Sequence, residues 1–264
     1  MKADTIRFIE SAGRNGFSQI ELDIDRLEAA IKKDDLSKIR AVIKDSNIEV
    51  VSLNAIDNYP IMSEDEMAGS LKRSQAVLDL CNSIGSGILV VNPANFKAGQ
   101  DEKLVEKRFD FFMDRLGELS EKNGIKLGYE YVSYNDKVVN TLKKTIAGLK
   151  RWRSGTDLVL DVFHMFRSGE TIEDLPSDLT SKLIAFHVND APGISIETVV
   201  DTDRVFPLEG VMGVQKYIEE LKRKNYAGPV SVELFNQKYW DMDVDTVVKK
   251  SKESVDRLLA ILIL

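Results

Sequence analysis

Seven short apolar runs, each followed by a longer charged stretch, constrain this chain more than any other feature. They lie at 18–24 (SQIELDI), 48–54 (IEVVSLN), 87–93 (GILVVNP), 125–131 (IKLGYEY), 157–162 (DLVLDV), 183–188 (LIAFHV) and 229–235 (PVSVELF). Their lengths and their Val and Ile content suit strands buried on both faces. The stretches between them carry helical periodicity. In 63–85, Ser63 stands where a helix cap belongs and Glu66 follows three residues on, the capping-box pattern. The stretch 101–124 ends at Gly124, a helix C-terminal signal. Residues 25–45 read as a solvated helical face, and 258–264 (LLAILIL) as the buried end of a helix. Repeated strand–helix units imply a parallel sheet, because parallel neighbours need a crossover. An open doubly wound sheet and a closed barrel both satisfy this. No GxGxxG follows the first run, which weighs against the dinucleotide-binding version, and 264 residues suit a TIM-type (β/α) barrel. The expected fold is therefore an α/β barrel in one domain over residues 1–264.

Composition narrows the function classes. The 43 Asp and Glu outnumber the 36 Lys and Arg, for a net charge of −7, so no nucleic-acid partner is expected. The one cysteine, Cys81, forbids an intramolecular disulfide and a thiolate metal cluster, and reads as a small core residue. No apolar leader core opens the chain, and no run approaches the ~20 apolar residues of a membrane span. A cytoplasmic protein with no membrane partner is expected.

Barrels of this kind place their chemistry at the C-terminal ends of the strands. Asn54 and Asn92 stand there, as do Glu130, Asp161 with His164 just beyond, His187 followed by Asn189 and Asp190, and Glu233 followed by Asn236. Four strands thus each carry an ionisable group near the same end. Each interrupts an apolar run where a buried charge costs several kcal/mol unless compensated. Any one of them alone has a structural explanation; four together point to a shared site. Three carboxylates and an imidazole converging on one axis repel each other, and one divalent cation resolves that. This oxygen-rich, thiolate-free set suits Zn²⁺, Mn²⁺ or Co²⁺, and also Mg²⁺. His164 has a simpler alternative, a hydrogen-bonded histidine packed between Phe163 and Phe166.

The pattern Glu130, Asp161-x-x-His164, His187-x-x-Asp190, Arg204 and Glu233 resembles the xylose isomerase-like barrel family of sugar isomerases and epimerases, related also to endonuclease IV. Residues 16–22, 52–56, 158–164, 186–190, 201–207 and 230–240 carry the likeness. It implies that Glu130, Asp161, His187 and Glu233 hold the metal, and that Glu130 and Glu233 double as acid and base. His164, Arg204, Asn54 and Asp190 are then expected in the substrate site, with Arg204 orienting Asp190 or holding a hydroxyl. The implied activity moves a carbonyl through an enediolate on a small keto-sugar or inosose. An epimerase or dehydratase of a related keto-sugar is the alternative. An endonuclease IV-like phosphodiesterase is more remote, given only two histidines, and so is a non-catalytic barrel.

Two departures from the family stand out. The chain opens directly on a helical stretch, 3–16, where the family has a strand first, so either the true start lies upstream or the barrel lacks its first strand and has a gap. The apolar tail 258–264, or a partner subunit in a homo-oligomer, is a candidate to cover it, because open parallel edges pair promiscuously. After Arg204 the family's Pro-Gly-x-Gly becomes Pro207-Leu208-Glu209-Gly210. Leucine tolerates positive φ poorly, so this loop is expected to take a different path.

Overall fold

The computed structural model describes residues 4–97, 99–152 and 155–260. Seven strands form one all-parallel sheet in chain order: β1 (Gln19–Asp23), β2 (Glu49–Ile56), β3 (Ile88–Val91), β4 (Lys126–Glu130), β5 (Thr156–Asp161), β6 (Leu183–Val188) and β7 (Val230–Val232). Helix α1 (Thr5–Arg14) precedes β1, and α2 (Ile24–Asp34) and α3 (Leu36–Asp45) lead to β2. Then α4 (Glu64–Ile84), α5 (Glu102–Asn123), α6 (Leu142–Arg151) and α7 (Val162–Ser168) follow the next four strands in turn. Helix α8 (Val214–Arg223) lies between β6 and β7, and α9 (Gln237–Trp240) and α10 (Val244–Ala260) follow β7. The result is a TIM-type barrel, closed except at one seam.

Local signals set the helix ends. Ser63 and Glu66 form the reciprocal capping box of α4, and Gly124 ends α5 in the left-handed conformation at φ 68°. Residues 25–45 differ from their reading as one solvated face. They break at Asp35, whose φ is 72°, and its side chain caps α3. Both halves bury apolar stripes, Leu27 and Ala30 in α2 and Ile39 and Ile43 in α3.

Most of the core lies between sheet and helices. Cys81 belongs to it, and burial pushes its thiol up to about 12. Inside the barrel a small separate plug forms from Val90, Val159, Ile184 and Ala185. Gly128 makes room for it, since a Cβ there would stand 2.6 Å from Val159 Cγ2. Strand side chains alternate faces. The residues two positions beyond Gly128, Val159 and Ala185 are Glu130, Asp161 and His187. A polar layer therefore sits directly on the apolar plug, at the C-terminal ends of the strands.

The loop after Arg204 does not avoid the left-handed conformation. Leu208 adopts φ 72°, at a cost of roughly 1–2 kcal/mol, while its side chain packs against the core. Gly210 is required there because a Cβ would overlap the Ala191 carbonyl oxygen.

Among the described residues β1 and β7 have no strand between them and do not pair with each other. Their facing edges, with Phe8 and Phe17 on one side and Val247 and Val248 of α10 on the other, enclose about 180 Å³. Helices α1 and α10 pack together outside this seam. Of the apolar tail, Leu258 is buried and Ala260 ends α10, whereas residues 261–264 lie outside the described residues. Among the described residues no helix is long and apolar enough to cross a membrane.

Candidate metal centre

Glu130 ends β4, Asp161 ends β5, His187 lies on β6 and Glu233 follows β7. One ligand atom from each lies within 4.8 Å of all the others. His187 Nδ1 stands 2.9 Å from Glu130 Oε1 and 3.8 Å from Glu233 Oε2. Parallel registry accounts for part of this, since Asp161 pairs with His187 across β5 and β6. Three of the four are buried and Glu233 is partly so. Asp161 is further fixed by accepting from the Phe163 amide at 2.6 Å, as the cap of α7, and from Asn189 Nδ2 at 3.2 Å.

The local counter-charge is Arg204, which is 1% exposed. Its Nη1 donates to Asp161 Oδ2 at 2.6 Å and to Glu233 Oε2 at 2.8 Å, and its Nη2 to Asp201 Oδ1 at 2.5 Å. The guanidinium lies between the rings of Phe163 and Phe235, 4.7 and 5.0 Å from their centroids. His164 packs edge-on to Phe163 and Tyr134. Its Nε2 is 3.3 Å from Arg204 Nη2, and its Nδ1 is 3.3 Å from Ser133 Oγ.

These environments pull the groups apart electrostatically. Burial raises Asp161, but Arg204 and the two imidazoles outweigh it and hold the carboxyl below its ordinary range. Burial, reinforced by Glu130 and Asp161, holds Glu233 well above the usual carboxylate range despite His187 and Arg204. Burial lowers His187, yet Glu21, Glu130 and Glu233 hold it well above the usual histidine range. Burial keeps His164 lowered, hence neutral at pH 7. The upward shifts of Glu233 and His187 answer the same crowding of negative charge that a cation would neutralise. Three carboxylates and an imidazole on a shared point fit a divalent cation.

A family model described as Xylose isomerase-like TIM barrel matches residues 9–260. The chain belongs to this family. An inosose isomerase of Halalkalibacterium halodurans is 23% identical over 254 residues, covering 96% of this chain and 90% of that protein. A 3-dehydroshikimate dehydratase of Pseudomonas putida is 24% identical over 88% of this chain, which spans 36% of that larger protein. The crystal structure of an IOLI protein with a bound zinc atom superposes with a TM-score of 0.89 at 21% identity, covering 98% of this chain and 94% of the other.

Within this xylose isomerase-like barrel, a cavity of about 520 Å³ opens above the polar layer. Of the four clustered residues, Glu130 and Glu233 line it, together with Asn54, His164 and Arg204. Asp161 and His187 are not among its lining residues. Asn54 Nδ2 donates to Glu233 Oε1 at 3.0 Å. Asp190 is placed differently from the expectation. It does not line the cavity; its Oδ1 accepts from the Ala191 and Met212 amides at 2.9 Å, which ties down the loop. The carboxylate partners of Arg204 are Asp161, Glu233 and Asp201, not Asp190.

Two residues of the site escaped the sequence reading. Asp201 anchors Arg204 and accepts from Tyr134 Oη at 2.6 Å. Glu21 reaches His187 from β1. The signal for Glu21 was present, a carboxylate inside an apolar run. It was masked because Gln19 and Asp23 alternate with it and make that face look solvated.

Proposed function

We propose that this chain is a metal-dependent isomerase of a small keto-sugar or inosose, moving a carbonyl to the neighbouring carbon by proton transfer through an enediolate. The observation that carries the reading is the sorting of the four donors. Two carboxylates, Glu130 and Glu233, belong both to the cluster and to the cavity wall, whereas Asp161 and His187 lie outside that wall. A Zn²⁺, Mn²⁺, Co²⁺ or Mg²⁺ ion held by Glu130, Asp161, His187 and Glu233 would supply Lewis-acid polarisation of the substrate carbonyl. The side chains do the rest. A carboxylate facing the cavity removes the proton from the carbon beside the carbonyl and returns it to the neighbour. Asn54 and Arg204 grip the two oxygens of Glu233 at 3.0 and 2.8 Å, which fixes its direction of attack. His164 and Arg204 also line the cavity, where their side chains can contact substrate hydroxyls. Asn92 also lines the cavity, and its buried Oδ1 has no partner, so it can accept from a second hydroxyl.

Similarity to an inosose isomerase along almost the whole chain supports the choice of reaction. The dehydratase relative supports a second reading, loss of water from a related keto compound after the same first proton abstraction. Incubating metal-loaded protein with keto-inositols and ketoses in D₂O, followed by proton NMR, tests both. Carbonyl migration with deuterium uptake at the adjacent carbon is expected. An unsaturated product would favour dehydration and inversion with the carbonyl in place would favour epimerisation. Absence of exchange on every compound would reject the proposal.

A further inference from the structure

We propose that Glu21 is a positioning residue of this centre, holding the Nε2–H of His187 so that Nδ1 is aimed, as a lone-pair donor, at the point where Glu130 and Glu233 converge. The inference rests on the metal reading above. The two nitrogens of His187 face different partners. Nδ1 is 2.9 Å from Glu130 Oε1 and 3.8 Å from Glu233 Oε2. Nε2 points across the barrel to β1, 3.3 Å from each oxygen of Glu21. The ring is fully buried, so an unpaired Nε2–H there would be left unsatisfied.

The rotamer alone does not choose between the two orientations of an imidazole. The outer torsion is broad and roughly two-fold, and a half-turn exchanges ring nitrogen for ring carbon at each site. A fixed acceptor does choose. Glu21 is itself fixed: Oε2 accepts from Ser52 Oγ at 2.6 Å and Oε1 from Asn54 Nδ2 at 3.2 Å, and its side chain is 8% exposed. The same Asn54 amide also donates to Glu233. One carboxylate on β1 therefore orients a ligand on β6 directly and one following β7 through Asn54. Outer acceptors of this kind fix the tautomer and raise the basicity of a metal-binding histidine.

The test compares Zn²⁺ affinity of the wild type and Glu21→Gln by competition with a chromophoric chelator. The isosteric change is expected to weaken Zn²⁺ binding by about 10–100-fold while the metal-free variant keeps the wild-type far-ultraviolet circular dichroism. Equal affinities would overturn the role of Glu21 and leave the metal centre standing. Failure of the wild type to bind Zn²⁺ would instead remove the metal reading, and this inference with it. A second measurement needs no variant. Long-range ¹⁵N–¹H spectra of the Zn²⁺-loaded wild type should show His187 protonated at Nε2 and metal-bound at Nδ1. The opposite assignment would overturn the proposal even if Glu21→Gln failed to fold.

Discussion

Replacing Arg204 with methionine removes the buried counter-charge of the centre and keeps a side chain of similar length between Phe163 and Phe235. The guanidinium pairs with Asp161 at 2.6 Å, Glu233 at 2.8 Å and Asp201 at 2.5 Å. Removing one partner of a buried pair costs about 3–5 kcal/mol, because the remaining charge is stranded. Proton uptake by Glu233, already pushed upward by burial, limits the loss from the third carboxylate. The metal-free variant should therefore lose about 3–5 kcal/mol, roughly 6–20 °C in Tm for a chain of this size. The sign with pH follows from Asp161 and Asp201, both lowered in the folded protein against the pull of burial, chiefly by Arg204. A lowered carboxyl contributes stability above its unfolded value, about 3.9, and loses it as pH falls through the folded value. The deficit of the variant is thus full at neutral pH and shrinks in strong acid. Thermal unfolding in a chelator at pH 7, repeated with Zn²⁺, checks both parts. Zn²⁺ should raise the Tm of the variant more than that of the wild type, since the cation replaces the missing charge. A variant within about 1 kcal/mol of the wild type in the chelator, or indifferent to Zn²⁺, would refute the assignment of Arg204 as counter-charge to a metal-binding carboxylate cluster.

Glu233→Gln should lower turnover by at least about 10²-fold, the lower range for a general acid–base group, and weaken metal retention, with circular dichroism unchanged; unaltered turnover would reject Glu233 as ligand and base. Metal affinity should rise with pH, because any proton on His187, raised by its carboxylate neighbours, or on Glu233, raised by burial, must leave as the ion enters. Calorimetry in buffers of different ionisation enthalpy would report that release, and zero net release would contradict it. Gly210→Ala should cost about 1–3 kcal/mol, since the new methyl group meets the Ala191 carbonyl and the Asp190 carboxylate. Urea denaturation reads it, and an unchanged midpoint would show that the loop relaxes freely.

Much of the barrel was legible because period and composition act locally. Each strand is an apolar run, and a carboxylate or imidazole inside such a run stands out, which is how Glu130, Asp161, His187 and Glu233 could be grouped. What stayed hidden depends on direction rather than identity. Asp190 follows the His187 strand as closely as a ligand-site residue should, but its bridge to Val205 turns it toward the loop amides. Asp35 looks like one more charged residue in a helical stretch until its positive φ splits α2 from α3. Leu208 shows the converse, a residue whose local preference is overridden by packing of its side chain on the core.

The seam between β1 and β7 has a mechanical consequence. Elsewhere adjacent staves of the barrel are riveted by their main chains, and a side chain at the mouth inherits that stiffness. At the seam the ring is completed from within, by Asn54 reaching Glu233 and Glu21 reaching His187. The residues that shape the pocket are thus also the inner cross-braces of a hoop that α1 and α10 clasp from outside, so the pocket and the stiffness of its rim draw on the same few atoms.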